Sequence, residues 1–493
     1  MYLQKVLNLK YKSLVIICLT AFLLSIICVS STDVNNQTIS NGKTEIISYS
    51  QEDMLTVADD NGTFTSLQNK INNALKGNTI TLDRDYTYDE GFNTVGIVID
   101  KDLTIDCNGH TLNGLSKSRI ILIKLGKITP NKVTIKNLKF INGNTNLNGG
   151  AIFNYADLKI DNCQFTNNYA KYCGGAINSV GNLECMNSKF DKNIANGDGG
   201  AIFTLSLRGT LANILKKKTI NATLNGNMDF ITVLINDQTL IYKQEYITNC
   251  VFTENVARGR GGGAVYAFGH IDIKRSTFTS NKANEEGGAV FANQNLYISD
   301  SKFTNNQAPT YGGAVYFKSH EQGGHYENKK WVSQIKYYSN SITKSVFTKN
   351  SASRGGAIYG FRASDEDTLH CVKASKCTFE DNKALKGRDI YGGTASNCIF
   401  NYLKLTLKSV KIKKSAKKLV LTAKLTKGKT LIKGKKITFK FNGKTYKAKT
   451  NKKGIAKVTI KKNILKKLKV GKKVKYQAKY DKLTVKKTAK VEK

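Results

Sequence analysis

The chain has 493 residues, 40% of them hydrophobic and 23% charged, with a formal net charge of +41. That is too long for one ordinary core, and no second apolar run of spanning length follows the N-terminal one, which excludes a multi-span helical membrane protein. The charge points to a polyanionic partner, but residues 402–493 hold 34 lysines, no arginine and two acids (Asp481 and Glu492), a net +32, so only +9 belongs to everything before them.

Residues 1–31 read as an export address. Lys5, Lys10 and Lys12 precede an apolar run over 14–29, which is shorter than the roughly 20 residues of a spanning helix, and Val29 and Ser31 suit the −3 and −1 cleavage positions. The expectation is a cleaved signal peptide, with a retained anchor as the alternative; cleavage would leave no transmembrane segment. Neither Cys18 nor Cys28 follows a small residue, which argues against lipid attachment. Residues 32–55 are expected to be a flexible segment.

A long repeat domain is expected over 56–402. It opens on residues 64–75, where Leu67, Ile71, Ala74 and Leu75 have the spacing of a short amphipathic helix that could cover the open end of a stacked fold. The repeat follows. Phe140, Phe165 and Phe190 are 25 residues apart; Phe252, Phe278 and Phe303 are 26 and 25 apart; Phe347 and Phe379 continue after longer gaps. Three residues after the Phe comes Asn (Asn168, Asn193, Asn255, Asn281, Asn306), two further on comes Ala, and a variable turn then leads to Gly-Gly-Ala. That triplet occurs seven times, among them Gly174-Gly175-Ala176, Gly199-Gly200-Ala201 and Gly287-Gly288-Ala289, almost always before Ile or Val.

Ahead of each Phe, apolar residues seven and five positions back alternate with polar ones, as in Leu158, Ile160 and Phe165, which is a strand pattern. Units of short strands joined by Gly and Asn corners cannot bury their apolar side alone and must stack on copies of themselves. Stacking in parallel register sets Phe on Phe and Asn on Asn at about 4.8 Å per coil. Asn is expected to serve the left-handed corners and to hydrogen-bond along the stack; Gly-Gly supplies backbone conformations closed to other residues. The fold class is therefore all-β, a right-handed parallel β-helix of about eleven coils. Cys163, Cys250, Cys377 and Cys398 take the place that Ser188, Ser276, Ser301 and Ser345 take in other coils, so they read as buried small residues rather than a disulfide framework.

The Gly-Gly-Ala-Ile/Val repeat, the opening segment Gly77-Asn78-Thr79-Ile80-Thr81-Leu82-Asp83 and the first coil from Leu103 to Leu112 resemble chlamydial polymorphic outer-membrane protein repeats and, more closely, the adhesin-like surface proteins of methanogenic archaea. The bacterial group carries an outer-membrane barrel that this chain lacks, which favours the archaeal one. The resemblance implies a β-helical surface protein with an Ig-like module at its end.

Three coils are long, at residues 204–246, 318–340 and 361–371, each interrupted between the Gly-Gly-Ala strand and the next strand. Inserts at one corner must emerge on one side of the rod, so a shared binding face is expected there, with Trp331, Tyr337 and Tyr338 as its candidate residues. Local packing on the coil is the alternative for them.

Beyond residue 403, lysine alternates with apolar residues, Asn442-Gly443 marks a hairpin, and about seven strands in 90 residues suit an Ig-like β-sandwich over 403–493. Lysine without arginine suits diffuse attraction to an anionic cell-wall polymer rather than geometric readout, and nucleic acid is not expected as a partner of an exported chain.

An enzyme needs a carboxylate pair. Asp198, Glu285, Glu286 and the run Asp365-Glu366-Asp367 read as solvated turn residues, the two histidines of His320-Glu321-Gln322-Gly323-Gly324-His325 lack zinc-site spacing, and His110 sits in a turn. No catalytic residue, cofactor or metal is expected. The expected function is a secreted or cell-surface adhesin-like protein that binds surface glycans or proteins of other cells, with a carbohydrate-active β-helix enzyme as the alternative.

Overall fold

A residue type that returns every 25 positions can be buried in every copy only if the chain comes back to the same place one strand further on. The structure, a computed structural model, does this; it describes residues 60–126, 130–205, 244–318, 320–327, 330–361 and 372–493. The proposed signal peptide and the 32–55 segment lie outside the described residues. The chain divides into two units, Met1–Cys377 with Asn382–Asn397 and Thr378–Asp381 with Cys398–Lys493.

The first unit is a stack of parallel sheets, as in a β-helix. An 11-stranded sheet takes the Leu/Ile strands, for example Asp157–Asp161 and Leu183–Met186, and a 10-stranded sheet takes the Gly-Gly-Ala strands, for example Ile177–Ser179 and Ile202–Thr204. A third sheet takes the Phe strands, such as Gln164–Thr166 and Lys189–Asp191, and a five-stranded sheet runs from Asn144–Thr145 to Lys282–Ala283. Register is one coil per strand: Leu158 faces Leu183, Phe165 faces Phe190, Ala170 faces Ala195 and Ile177 faces Ile202.

Two ladders fill the coil. From Phe140 to Phe347 successive rings are parallel within 6° and 4.6–4.8 Å apart, so strand spacing sets ring spacing. Beside them, Asn168, Asn193, Asn255, Asn281, Asn306 and Asn350 are each 0% exposed. Asn168 Nδ2 donates to Asn193 Oδ1 at 2.9 Å and to the Phe140 carbonyl at 3.1 Å, while the Asn168 backbone N–H donates to the same Asn193 Oδ1 at 3.1 Å. Asn193 repeats this toward Asn255 and Phe165. Both amide hydrogens and both oxygen lone pairs are therefore used, as a buried amide requires.

This corrects the expectation that these asparagines serve left-handed corners. Positive φ falls one residue earlier, at Asn167, Lys192, Glu254, Ser280 and Asn305, and again before the small position, at Asn162 and Asn187. Corner residues vary because several types tolerate that conformation at an exposed site, whereas the stack uses two donated hydrogens and two accepting lone pairs from one side chain, which an amide supplies and a hydroxyl, with its single hydrogen, does not. In the Gly pair, Gly199 has φ +66 and a Cβ on Gly200 would lie 2.1 Å from the Gly263 carbonyl oxygen, so each fails for its own reason with a side chain. In the small column, Ser188 Oγ accepts the Cys163 backbone N–H at 3.0 Å. Cys163, Cys250 and Cys377 are buried, while Cys398 is half-buried.

The helix spans Phe64–Asn73, with a Thr63/Ser66 capping box and Phe64, Leu67 and Ile71 buried. It ends short of the expected residue 75: Ala74 turns extended, and Leu75 is 73% exposed rather than part of the apolar face. Gln68 explains how the helix covers an edge. Its Oε1 accepts the Val98 N–H at 2.7 Å and its Nε2 donates to the Val98 carbonyl at 3.0 Å, pairing the first Gly-Gly-Ala-type strand, Ile97–Ile99.

The second unit has a five-stranded sheet containing Lys436–Phe441, Lys444–Lys449, Lys473–Tyr480 and Leu483–Glu492, and a second sheet built on Lys418–Lys427 and Ile455–Lys461. Their apolar faces share one core that includes Leu421, Leu425, Ile437, Phe439, Phe441 and Ile460. Asn442 (φ 45) and Gly443 (φ 82) make the expected hairpin turn between Phe441 and Lys444.

Candidate functional site

The long coils do leave from one corner. The strands Ile202–Thr204, Val315–Lys318 and Ile358–Phe361 belong to the Gly-Gly-Ala sheet, and the strands that resume after each insert, Gln244–Thr248, Asn340–Thr343 and Val372–Ser375, belong to the Leu/Ile sheet. Most other coils cross that corner in one to three residues, as between Ala267 and His270, although eight residues separate Ile123 from Lys132. Parallel register continues across the inserts, with Glu184 facing Tyr246 and Ile298 facing Ile342, so each insert is added without disturbing the stack.

The second insert contains an antiparallel hairpin, His320–Glu327 with Lys330–Tyr337, in which Tyr326 faces Trp331 and His320 faces Tyr337. Two of the three candidate binding residues, Trp331 and Tyr337, thus lie on one projecting strand. Tyr338 does not join them: it is 4% exposed at the point where the chain re-enters the coil, which removes it from the candidate face. Phe230, Ile231, Val233, Leu234 and Ile235 of the first insert and Asp365, Glu366 and Asp367 of the third lie outside the described residues.

The sheet that feeds this corner has a second buried face. Alternation turns Ile202, Val265, Val290 and Val315 to one side and Phe203, Tyr266, Phe291 and Tyr316 to the other. The second set joins Leu122, Phe153 and Tyr359 in an apolar cluster that contains none of the Leu, Ile or Phe residues filling the coil, which places it on the outer face of the sheet. Its rings stack from Phe203 through Tyr266, Phe291 and Tyr316 at 5.1, 4.4 and 4.6 Å. The aromatic residue two places after Gly-Gly-Ala was a readable signal that the sequence reading passed over, because the intervening Ile or Val carries the regular pattern.

Beside this column runs the position just before each Gly-Gly pair, where Asp198 and Glu286 stand. They are 4% and 5% exposed, which corrects their reading as solvated turn residues; Glu285 is exposed, as expected. Asp198 Oδ1 accepts the Gly261 N–H at 2.8 Å. Arg260 forks onto Glu286, with Nε to Oε2 at 2.7 Å and Nη2 to Oε1 at 3.2 Å, and its guanidinium lies 5.6 Å from the centre of the Phe291 ring. Burial pushes the Asp198 carboxyl up to about 6 against the pull of the Gly261 N–H and Arg260, and pushes Glu286 up against Arg260. Glu245, in the inward column that Leu183 and Ile271 hold in the neighbouring coils, is 2% exposed; its Oε1 accepts from the Thr204 hydroxyl, its Oε2 has no partner among the described residues, and burial drives it well above the carboxylate range. Sequence reasoning missed it, since a lone Glu ahead of a Tyr-Ile pair resembles an exposed strand residue.

His110 stays in its turn, with Nδ1 3.3 Å from Asp85 Oδ1. Among the described residues no group of three or more His, Cys, Asp or Glu side chains could hold a metal ion, and no helix is long and apolar enough to cross a membrane. The outward rows of the second unit are lysine-rich and exposed.

Comparison with known proteins gives no match to a curated protein and none to a solved structure. Five stretches, residues 162–180, 187–205, 275–293, 300–318 and 344–360, match the Chlamydia polymorphic membrane protein repeat, so the chain is a β-helix repeat protein similar in those coils to a family of surface proteins.

Proposed function

We propose that the chain is a secreted or cell-surface adhesin-like protein. Its right-handed rod of about eleven coils presents the inserts of one corner to glycans or proteins of other cells, and its Ig-like terminal unit, net +32, associates with an anionic cell-wall polymer. The resemblance of its Gly-Gly-Ala-Ile/Val repeat to methanogen adhesin-like proteins supports an archaeal surface as its location, with the apolar N-terminal run as the export signal. The observation that carries this reading is the position of the inserts: three of them enlarge the same corner while parallel register continues on either side, which is how a rod displays loops rather than how it builds a cleft. The test replaces residues 319–339 of the full chain with the short turn of the preceding coil and compares binding to a glycan array and to whole cells. Loss of binding with an unchanged β-sheet circular dichroism spectrum is expected; binding that survives intact would sink the recognition role of this insert.

A carbohydrate-active enzyme is the second reading. It is favoured by Asp198 and Glu286, two buried carboxyls of raised pKa in one column two coils apart. Sustained release of reducing ends from a polysaccharide panel, abolished in Glu286→Gln, would establish it in place of the adhesin reading.

A further inference from the structure

The strand registers of the second unit arrange its lysines in a pattern that composition alone does not require. On the outer face of the five-stranded sheet, opposite Ile437, Phe439 and Phe441, one row across the strands reads Thr445, Lys440, Gln477, Lys486. The next row reads Lys447, Thr438, Lys479, Thr484. Lysine and a hydroxyl or amide alternate in both directions, and Lys475 faces Thr488 in the same way. Directly opposed lysines occur only toward strand ends, as Lys436 with Lys449 and Lys473 with Lys490. These nine lysines are exposed, and among the described residues none has a carboxylate at ion-pair distance. The single acid on that face, Glu492, ends the last strand opposite Lys413.

We infer that this face is the surface that holds the wall polymer, and that the polymer is an acidic polysaccharide with a carboxylate on its sugar units. The inference rests on the anchoring half of the proposed function and adds the site and the ligand class. Within the two rows the nearest lysines lie on diagonals of about 8 Å, from strand spacing and a two-residue step, which is also about the screening length at physiological salt. One small anion therefore gains little, since an exposed ion pair is weak, whereas a chain of anions engages many lysines at once and is held by multivalency. Hydroxyls and an amide between the ammoniums match a polymer whose carboxylates are separated by sugar hydroxyls. A nucleic acid would call for stacking aromatics or arginine, and a bilayer for apolar side chains that enter the interface; the two rows contain neither. The other sheet is a built-in comparison: its outer face has five lysines, including Lys404, Lys424, Lys457 and Lys461, interrupted by Val420 and Ile455.

The experiment measures binding of the full chain to polygalacturonate, to uncharged galactan, to monomeric galacturonate and to a single-stranded polynucleotide of similar charge, across a salt series. Two charge-matched variants are compared, K440Q/K447Q/K479Q/K486Q and K404Q/K424Q/K457Q/K461Q. The unmodified chain is expected to bind polygalacturonate and neither the galactan nor the monomer. The first variant should lose at least tenfold in affinity at low salt, with its log–log salt slope smaller by about 3 if each lysine releases its share of counterions; the second should lose less than threefold. Equal losses in the two variants overturn the face assignment and leave the anchoring reading standing. Tighter binding of the polynucleotide than of polygalacturonate overturns the ligand class. An unmodified chain that binds no polyanion overturns the anchoring reading itself.

Discussion

In the rod, polar side chains are inside: Asn168, Asn193, Asn255 and Asn281 are each fully buried, and Ser188, Ser276 and Ser301 line a second column close by. In the terminal unit the only buried polar residue among those described is Thr450, and its lysines stand on the outward faces. The rod can bury polar columns because each buried amide finds its partners in the neighbouring coil, a directional condition that each coil must meet with the next. The sandwich closes on one apolar core and leaves its surface free to vary. A polar substitution should therefore be costly in one region and cheap in the other.

The sharpest way to break that contrast is Asn193→Ala. It removes the acceptor of the Asn168 N–H and of Asn168 Nδ2, and the donor to the Phe165 carbonyl, leaving several buried polar groups unsatisfied at about 1–3 kcal/mol each. A loss of about 3–5 kcal/mol in urea unfolding of the rod signal is expected, and a loss under 1 kcal/mol would mean that the column follows the fold rather than specifies it.

Asp198 gives the next effect, and of opposite sign. Its carboxyl titrates near 6 in the folded chain, above the ordinary value of 3.8. Its contribution to stability is thus fully present below about pH 4 and is lost as pH rises through 6. Asp198→Asn keeps the acceptor for the Gly261 N–H, as Asn148 does in the same column, where its Oδ1 accepts the Cys173 N–H at 2.9 Å. The variant should be more stable than the parent at pH 7.5, by up to about 3 kcal/mol, with the gap closing by pH 4. An equal gap at both pH values would assign the effect to something other than this carboxyl.

Cys250→Ser is a smaller test of the rod's columns. The thiol is buried, 3.8 Å from Cys185 Sγ and without a disulfide, in a column where serine recurs and accepts a backbone N–H from the neighbouring coil. The introduced hydroxyl can take the Ser188 N–H, so stability should stay within about 1 kcal/mol. A larger loss would show that the column selects for apolar character.

What could be read ahead of the structure follows the same division. Phe165, the Gly199-Gly200 pair and the Cys/Ser column were legible because stacking by one coil turns an invariant residue into a ladder, and invariance is visible in one sequence. The insert corner was legible for the same reason, since each insert breaks the repeat at the same point. The outer aromatic column was not, because it changes between Phe203, Tyr266, Phe291 and Tyr316 and skips Asn178, and a sheet buried on both faces loses the alternation that marks an outside. Asp198 and Glu286 were misread because acids in a turn are usually solvated, and only the stacking of turn on turn buries them. Tyr338 was misread because one residue separates a projecting strand from the coil.

The smallest effect tests the tolerant region. Thr438 sits between Lys447 and Lys479 across its two neighbouring strands, and Thr438→Lys would place three ammoniums in line. Like charges directly opposite are unfavourable by a few tenths of a kcal/mol each, so a loss of about 0.5 kcal/mol at low salt is expected, and added salt should erase it as screening shortens to a few ångströms. Thr438→Gln, of the same chemistry as Gln477, should show no loss at either salt. If the lysine variant loses as much at high salt as at low, the alternation of Lys and Thr reflects packing on the sheet rather than charge, and the sandwich surface is less free than the contrast with the rod implies.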